Sequence, residues 1–155
     1  MEIPYFRQQT DYTCGPACMR MAFAAFGLRK SEKALAKQAH SNARTGTDNF
    51  QMPLLAECHK MSYAVCKQSS MEEIKEFMRK GYVVIVNYFY FEDGGVIYHF
   101  AVVKGITSKE ISLLDPELGK NHSLPLSVFM RQWKGIPRNG KAGLRWFLAV
   151  KKTVF

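Results

Sequence analysis

Residues 13–27 have the sequence TCGPACMRMAFAAFG, and they predict a helix over about residues 14–26. Proline is tolerated in the first turn of a helix, where its missing N–H is not needed, and Gly27 supplies a stop. The only charged side chain after the proline is Arg20, and a helix that is apolar nearly all round belongs in a core. We therefore expect this helix to be buried.

Downstream of this helix, three more segments have helical patterns before the chain becomes extended. Ser31, Asp48 and Ser70 are each expected to cap a helix, and Ser70 with Glu73 matches a capping box. From Tyr82 onward, β-branched and aromatic residues predict strands. This order favours an α+β fold with N-terminal helices packed on a C-terminal antiparallel sheet. The predicted helices cover residues 31–39, 48–60 and 70–80, the strands residues 82–91, 96–106, 110–114 and 145–150, and a long loop residues 134–143.

The length and composition favour one globular domain over residues 1–155. The chain has 47% hydrophobic and 13% aromatic residues, enough for a sizeable core, which excludes global disorder. No apolar run approaches the ~18 residues of a membrane span, and no signal-peptide pattern opens the sequence. We therefore expect a cytoplasmic protein in which the four cysteines are reduced. These cysteines are Cys14, Cys18, Cys58 and Cys66.

The formal net charge of +9 is unevenly distributed along the chain. From Leu118 onward there are eight basic residues and no acidic one, whereas the preceding part is nearly neutral. These basic residues lack the signature of a nucleic-acid reader, so no specific nucleic-acid partner is expected. We expect them instead to steer an acidic substrate segment or a docking partner, with contributions from Lys134, Arg138 and Lys141.

Cys14 is the first candidate for chemistry. The unpaired N–H groups and the dipole at the start of a helix favour a thiolate, which is the nucleophilic form of cysteine. The alternative is a buried, inert cysteine. Cys18 and Cys66 are interpreted as small hydrophobic residues. A zinc site built from Cys14, Cys18, Cys58 and His59 lacks a C-x-x-C pair, so neither a metal nor another cofactor is predicted.

A nucleophilic cysteine needs a base, and His99 is the candidate among four histidines. His99 enters a predicted strand, and Thr107 lies midway between His99 and Asp115 in a predicted turn. A hairpin folded about Thr107 places Asp115 opposite His99, where a carboxylate orients the imidazole. The alternatives are a structural histidine and an Asp-Pro turn initiator. The other three histidines, His40, His59 and His122, are expected to face solvent.

Acyl chemistry also needs hydrogen-bond donors for a developing oxyanion. The backbone N–H of Cys14 can supply one donor. The side-chain amide of Gln8 or Gln9 can supply another, although either glutamine can equally be a plain surface residue. Spacing does not choose between them.

Taken together and in this order, these residues resemble one known family. Gln8 stands six positions before Cys14-Gly-Pro-Ala-Cys, a strand begins His99-Phe-Ala-Val-Val, and a third segment has Leu-Asp115-Pro. The set is similar to that of the C39 family of papain-like cysteine peptidases, which includes the peptidase domains of bacteriocin-processing ABC transporters. The similarity extends over residues 3–135. It implies a papain-like fold, Cys14 as nucleophile, His99 as general base, Asp115 as its orienting residue, and Gln8 rather than Gln9 as oxyanion donor.

The resemblance implies a peptide or precursor-protein substrate, cut after a Gly-Gly type site in a leader peptide. It also suggests a transporter or another membrane-associated partner. The sequence contains no transmembrane span and no phosphate-binding loop, so it is a free-standing member or one domain of a longer protein. Two other functions remain open: a papain-like acyltransferase or amidase, and a non-catalytic peptide-binding domain.

Overall fold

The computed structural model describes residues 1–134 and 145–154. Over these residues the chain forms five helices and six strands, which confirms the predicted α+β class. The helices are α1 (Cys14–Ala25), α2 (Glu32–Gln38), α3 (Gln51–Cys58), α4 (Met71–Arg79) and α5 (Leu126–Trp133). The strands are β1 (Met61–Cys66), β2 (Val83–Glu92), β3 (Gly95–Ile106), β4 (Glu110–Asp115), β5 (Gly119–Pro125) and β6 (Phe147–Lys152).

The six strands form one antiparallel sheet in the order β1-β6-β2-β3-β4-β5. Strand β6, from the far end of the described chain, lies between β1 and β2. Strands β2 and β3 form a hairpin around Asp93 and Gly94, whose φ angles are +47° and +75°. Positive φ at both central residues is typical of a type I′ turn, which matches the twist of a hairpin. This turn lies within the predicted one.

Helices cover both faces of the sheet and produce two cores. On one face, α1 packs against Phe100 and Val102 of β3, together with apolar residues of α3. On the other face, Ile74 of α4 and the α5 residues Phe129 and Trp133 pack against β2, β3 and β6. The prediction of helices packed on the sheet is therefore right, and α5 adds a helix that lies after most of the strands.

Several element boundaries differ from the sequence prediction. The hydroxyl oxygens of Ser31 and Ser70 accept hydrogen bonds from the first turns of α2 and α4, so these caps are confirmed. Asp48 does not cap α3, because the N-cap residue is Phe50. The last strand begins two residues later than predicted, since Arg145 has a φ of +51°. Three elements were not predicted: β1, β5 and α5.

The basic segment lies only partly within the described residues. Lys134 is the C-cap residue of α5, but the rest of the predicted loop 134–143, with Arg138 and Lys141, lies outside the described residues. Within residues 1–134 and 145–154, no helix is long and apolar enough to cross a membrane.

Candidate active site

Cys14 is the first residue of α1 and is half-buried. The N-terminus of α1 lies against the sheet because Gly15 has no side chain. A Cβ on Gly15 would lie 2.9 Å from Met52 Sδ, 3.2 Å from Thr47 Cβ and 3.3 Å from Phe100 Cδ2. All three distances are shorter than ordinary van der Waals contacts, so a larger residue would force the helix start and its neighbours apart. Close packing at Gly15 therefore holds Cys14 next to β3.

His99 and Asp115 form the buried pair that the sequence predicts. His99 lies on β3 and is 2% exposed, Asp115 ends β4 and is fully buried, and His99 Nε2 is 2.7 Å from Asp115 Oδ1. The predicted register is wrong by two residues, because Val102 pairs with Leu114. His99 and Asp115 are therefore diagonal rather than directly opposite. An offset of two keeps both side chains on one face of the sheet, so the contact still forms.

Asp115 is surrounded by hydrogen-bond donors. Tyr88 on β2 donates its hydroxyl to Oδ2, and the backbone N–H groups of Glu117 and Leu118 donate to Oδ1 at 2.9 and 2.8 Å. Burial alone would raise the pKa of Asp115, but the hydrogen bonds from His99, Leu118 and Tyr88 lower it below its usual range. Burial, followed by the Asp115 charge, raises the pKa of Tyr88, so the phenol stays a donor. The carboxylate is thus fixed in its charged form.

The imidazole of His99 joins Asp115 to Cys14. Because Nε2 bonds Asp115, Nδ1 is the ring nitrogen that remains for the Cys14 thiol. Burial alone would lower the pKa of His99, but the hydrogen bonds and charges of Asp115 and Cys14 raise it to about 10. The structure therefore brings Cys14, His99 and Asp115 into one connected set in which the protonated imidazole is favoured.

The structure separates the two candidate glutamines. Gln8 is half-buried, and its backbone N–H donates to Pro116 O at 2.9 Å, next to Asp115. Its side-chain Nε2 donates to Thr10 O at 2.8 Å, while Oε1 is buried without a partner among the described residues. An amide nitrogen carries two N–H groups, so one donor remains for a ligand. Gln9 is exposed.

A buried glutamate that the sequence analysis missed supports the segment before Cys14. Glu32 is 1% exposed, and its Oε2 accepts hydrogen bonds from Gln9 N at 2.7 Å and from Thr13 Oγ1 at 2.9 Å. Thr13 precedes Cys14 and is also hydrogen bonded to Thr10. Glu32 therefore joins α2 to residues 9–13, the segment that directly precedes Cys14. No local sequence pattern predicts this contact. An acidic residue in the first turn of a helix is common, so Glu32 does not stand out in the sequence.

Replacing Glu32 with alanine is expected to lower the free energy of unfolding by about 2–4 kcal/mol, because two donors lose their acceptor in a buried place. Residues 9–13 would also lose their attachment to α2, and because they position Cys14, the alkylation rate of Cys14 should fall. Urea unfolding followed by circular dichroism measures the first effect. Glu110→Ala, at an exposed residue of β4, is the control and should change little. Equal unfolding curves for Glu32→Ala and the unaltered protein would contradict this role for Glu32.

The remaining cysteines and histidines lie as follows. All four cysteines are free thiols: Cys18 is buried, Cys58 exposed, and Cys14 and Cys66 half-buried. Burial raises the pKa of Cys18 well above its ordinary value and also raises that of Cys66, so neither is activated. His40 is exposed, whereas His59 and His122 are half-buried and thus only partly match the prediction. Over residues 1–134 and 145–154, no cluster of metal-ligating side chains is present.

Comparison with known proteins identifies the family. The sequence profile of the Peptidase C39 family matches residues 2–137, so the chain belongs to this family. An uncharacterised protein of Methanothermobacter marburgensis is 29% identical over 114 residues, which cover 74% of this chain and 72% of that protein.

Two solved structures share the fold. One is the peptidase domain of Streptococcus ComA, a bi-functional ABC transporter involved in a quorum-sensing pathway. It has a TM-score of 0.74 and 17% identity, with coverage of 98% of this chain and 100% of that one. The other is a double glycine motif protease from an AMS/PCAT transporter in complex with the leader peptide. It has a TM-score of 0.73 and 19% identity, with coverage of 98% and 93%. The papain-like C39 fold predicted from the sequence is confirmed.

Proposed function

We propose that the protein is a cysteine peptidase in which Cys14 is the nucleophile, His99 the general acid and base, and Asp115 the residue that orients His99. The observation that carries this proposal is the buried His99, which hydrogen bonds Asp115 through Nε2 and whose pKa is raised by Asp115 and by the neighbouring Cys14. A nucleophile, a base and an orienting carboxylate in this order are the parts that covalent acyl chemistry requires.

The reaction proceeds in two halves. The Cys14 thiolate attacks the carbonyl carbon of the scissile peptide bond, and the resulting oxyanion accepts hydrogen bonds from the Cys14 backbone N–H and the free amide N–H of Gln8. The His99 imidazolium then donates its Nδ1 proton to the leaving amine, and the C–N bond breaks to leave a thioester on Cys14. In the second half, His99 takes a proton from water, and the hydroxide attacks the thioester to release the acid and restore the thiolate.

The substrate that we propose is a precursor peptide cut after a Gly-Gly or similar small-residue pair. Membership of the Peptidase C39 family supports a peptide substrate, and one protein with the same fold was solved with a leader peptide bound. We further propose a cytoplasmic location and association with a transporter or another membrane-associated partner, because the two solved structures reported above come from transporters.

A peptide-library assay tests the proposal. Peptides that contain Gly-Gly, Gly-Ala and bulky pairs are incubated with the protein, and the products are analysed by mass spectrometry. Hydrolysis adds one water per cut, whereas transfer to an added amine gives a conjugate of different mass, as an acyltransferase would. Protein alkylated with iodoacetamide at pH 6 is the control. If no peptide is cut or conjugated but one is bound, the protein is a peptide-binding domain and the proposal fails.

A further inference from the structure

A second carboxylate lies beside His99. Glu117 Oε2 is 3.8 Å from His99 Nδ1, the nitrogen on the Cys14 side of the ring, whereas Asp115 bonds Nε2. This distance is too long for a hydrogen bond. It is nevertheless shorter than the limit of about 4–6 Å within which an opposite charge stabilises a protonated histidine. Each ring nitrogen of His99 therefore has a carboxylate next to it.

Tyr90 holds the Glu117 carboxylate in this position. Its hydroxyl donates to the same Oε2 at 3.2 Å, and its ring lies edge-on to His99 with the ring centroids 5.9 Å apart. Burial, followed by the neighbouring Glu117, raises the pKa of Tyr90, so the phenol remains the donor and the carboxylate the acceptor. The backbone N–H of Glu117 is also bonded to Asp115. Glu117 is thus fixed at both its backbone and its side chain.

The two carboxylates differ in their access to solvent. The side chain of Glu117 is 41% exposed, whereas that of Asp115 is fully buried. Asp115 and Cys14 make the strongest contributions to the protonation of His99. The contribution expected of Glu117 is weaker, because water screens a charge at a partly exposed position. The titratable groups that face His99 are Cys14 on α1, Tyr88 and Tyr90 on β2, Asp115 on β4 and Glu117 in the turn after β4.

We propose that Glu117 is a positioning residue, a second acidic partner that stabilises the protonated imidazole of His99 and so keeps its proton available for the leaving amine. This inference rests on the proposed function, in which His99 is the proton donor. Glu117 acts through His99 and makes no bond to the substrate. Loss of Glu117 should therefore change the protonation of His99 and lower kcat/KM at alkaline pH, whereas KM should change little.

Titration of His99 by NMR, in protein with ¹³C-labelled histidine, tests the inference without any substrate. The chain has four histidines, and the signal that is lost in His99→Gln assigns His99. In Glu117→Gln, the titration midpoint of His99 should fall by about one pH unit, because a charge of opposite sign near 4 Å is removed. The pH midpoint of the alkaline limb of the kcat/KM profile should fall by the same amount. Tyr90→Phe, which frees Glu117 to move away, should give a smaller fall in the same direction.

Glu110→Gln is the matched control, since Glu110 is exposed at the opposite end of β4. An unchanged His99 midpoint in Glu117→Gln, or an equal fall in Glu110→Gln, overturns the inference. Absence of peptide cleavage by the unaltered protein overturns the proposed function instead, and the titration distinguishes the two failures because it needs no activity.

Discussion

Replacing Cys14 with alanine is expected to abolish peptide cleavage, with a fall in kcat of roughly 10⁴–10⁶-fold. Removing the nucleophile of a connected catalytic set costs nearly as much as removing the whole set, since the other members have nothing left to activate. The change removes one sulfur atom from a half-buried position at the start of α1. The fold should therefore persist. The measurement is single-turnover cleavage of the best library peptide, with circular dichroism to compare the folds.

Cys58→Ala is the matched control for this variant. Cys58 is exposed at the end of α3, and its loss should leave the rate unchanged. Cys14→Ser keeps the shape of the side chain, but a hydroxyl is much less acidic than a thiol, so this variant should also be nearly inactive. Cleavage by Cys14→Ala at a rate close to that of the unaltered protein would exclude Cys14 as nucleophile.

Replacing Asp115 with alanine is expected to lower kcat/KM by about 10³–10⁴-fold, because His99 loses the group that orients it. The variant also leaves His99 and the Tyr88 hydroxyl without their buried acceptor, together with two backbone N–H groups. Breaking a buried charged pair in this way should cost about 3–5 kcal/mol of stability. Activity assays and urea unfolding measure the two effects.

Asp115→Asn separates charge from shape at the same position. The asparagine oxygen can still accept a hydrogen bond from His99 Nε2, although a neutral bond is about half as strong as a charge-assisted one, so the loss in kcat/KM should be smaller than in Asp115→Ala. The Asp115 charge helps to raise the pKa of His99 to about 10, and its removal lowers that pKa. The alkaline limb of kcat/KM should therefore move to lower pH. An unmoved limb would show that the Asp115 charge does not act on His99.

The stability contributed by the raised pKa of His99 follows from the same shift. The pKa of His99 is raised to about 10 in the folded protein. An unfolded histidine titrates near 6.5. The contribution is therefore complete below about pH 6.5 and is lost as the pH rises towards 10.

The parts of the site that the sequence predicts are those that depend on local structure. Cys14 starts a helix because it is followed by an early proline and by an apolar run that ends at a glycine, which are local helix signals. The β3–β4 hairpin follows from a polar turn between two apolar runs, and only its register was misjudged. The cause is the position of the turn: Ile106 pairs with Ile111, so the hairpin is centred between Ser108 and Lys109 rather than on Thr107.

Some of the missed features had a signal in the sequence. A two-residue turn at Asp93-Gly94 predicts that Tyr88 pairs with His99, as the structure has it. Helix α5 has apolar residues at helical spacing. They are Leu126, Phe129, Met130 and Trp133.

Other features had no such signal. Strand β5 is polar, and β1 pairs with a strand at the far end of the chain. The contacts of Glu32 with Thr13 and of Glu117 with His99 depend on how separate elements meet. They are visible only in the folded molecule.

The position of β6 in the middle of the sheet has a consequence for biosynthesis. Among the described residues, strand β1 joins the sheet through β6 alone, and Ser62 near its start hydrogen bonds Thr153, 91 residues further along. Contacts of this sequence separation form late, because a long loop must close before they are made. The ribosome must therefore release residues 147–152 before β1, β6 and β2 can assemble. We infer that a nascent chain carries Cys14 long before it has a complete sheet to hold His99 beside it.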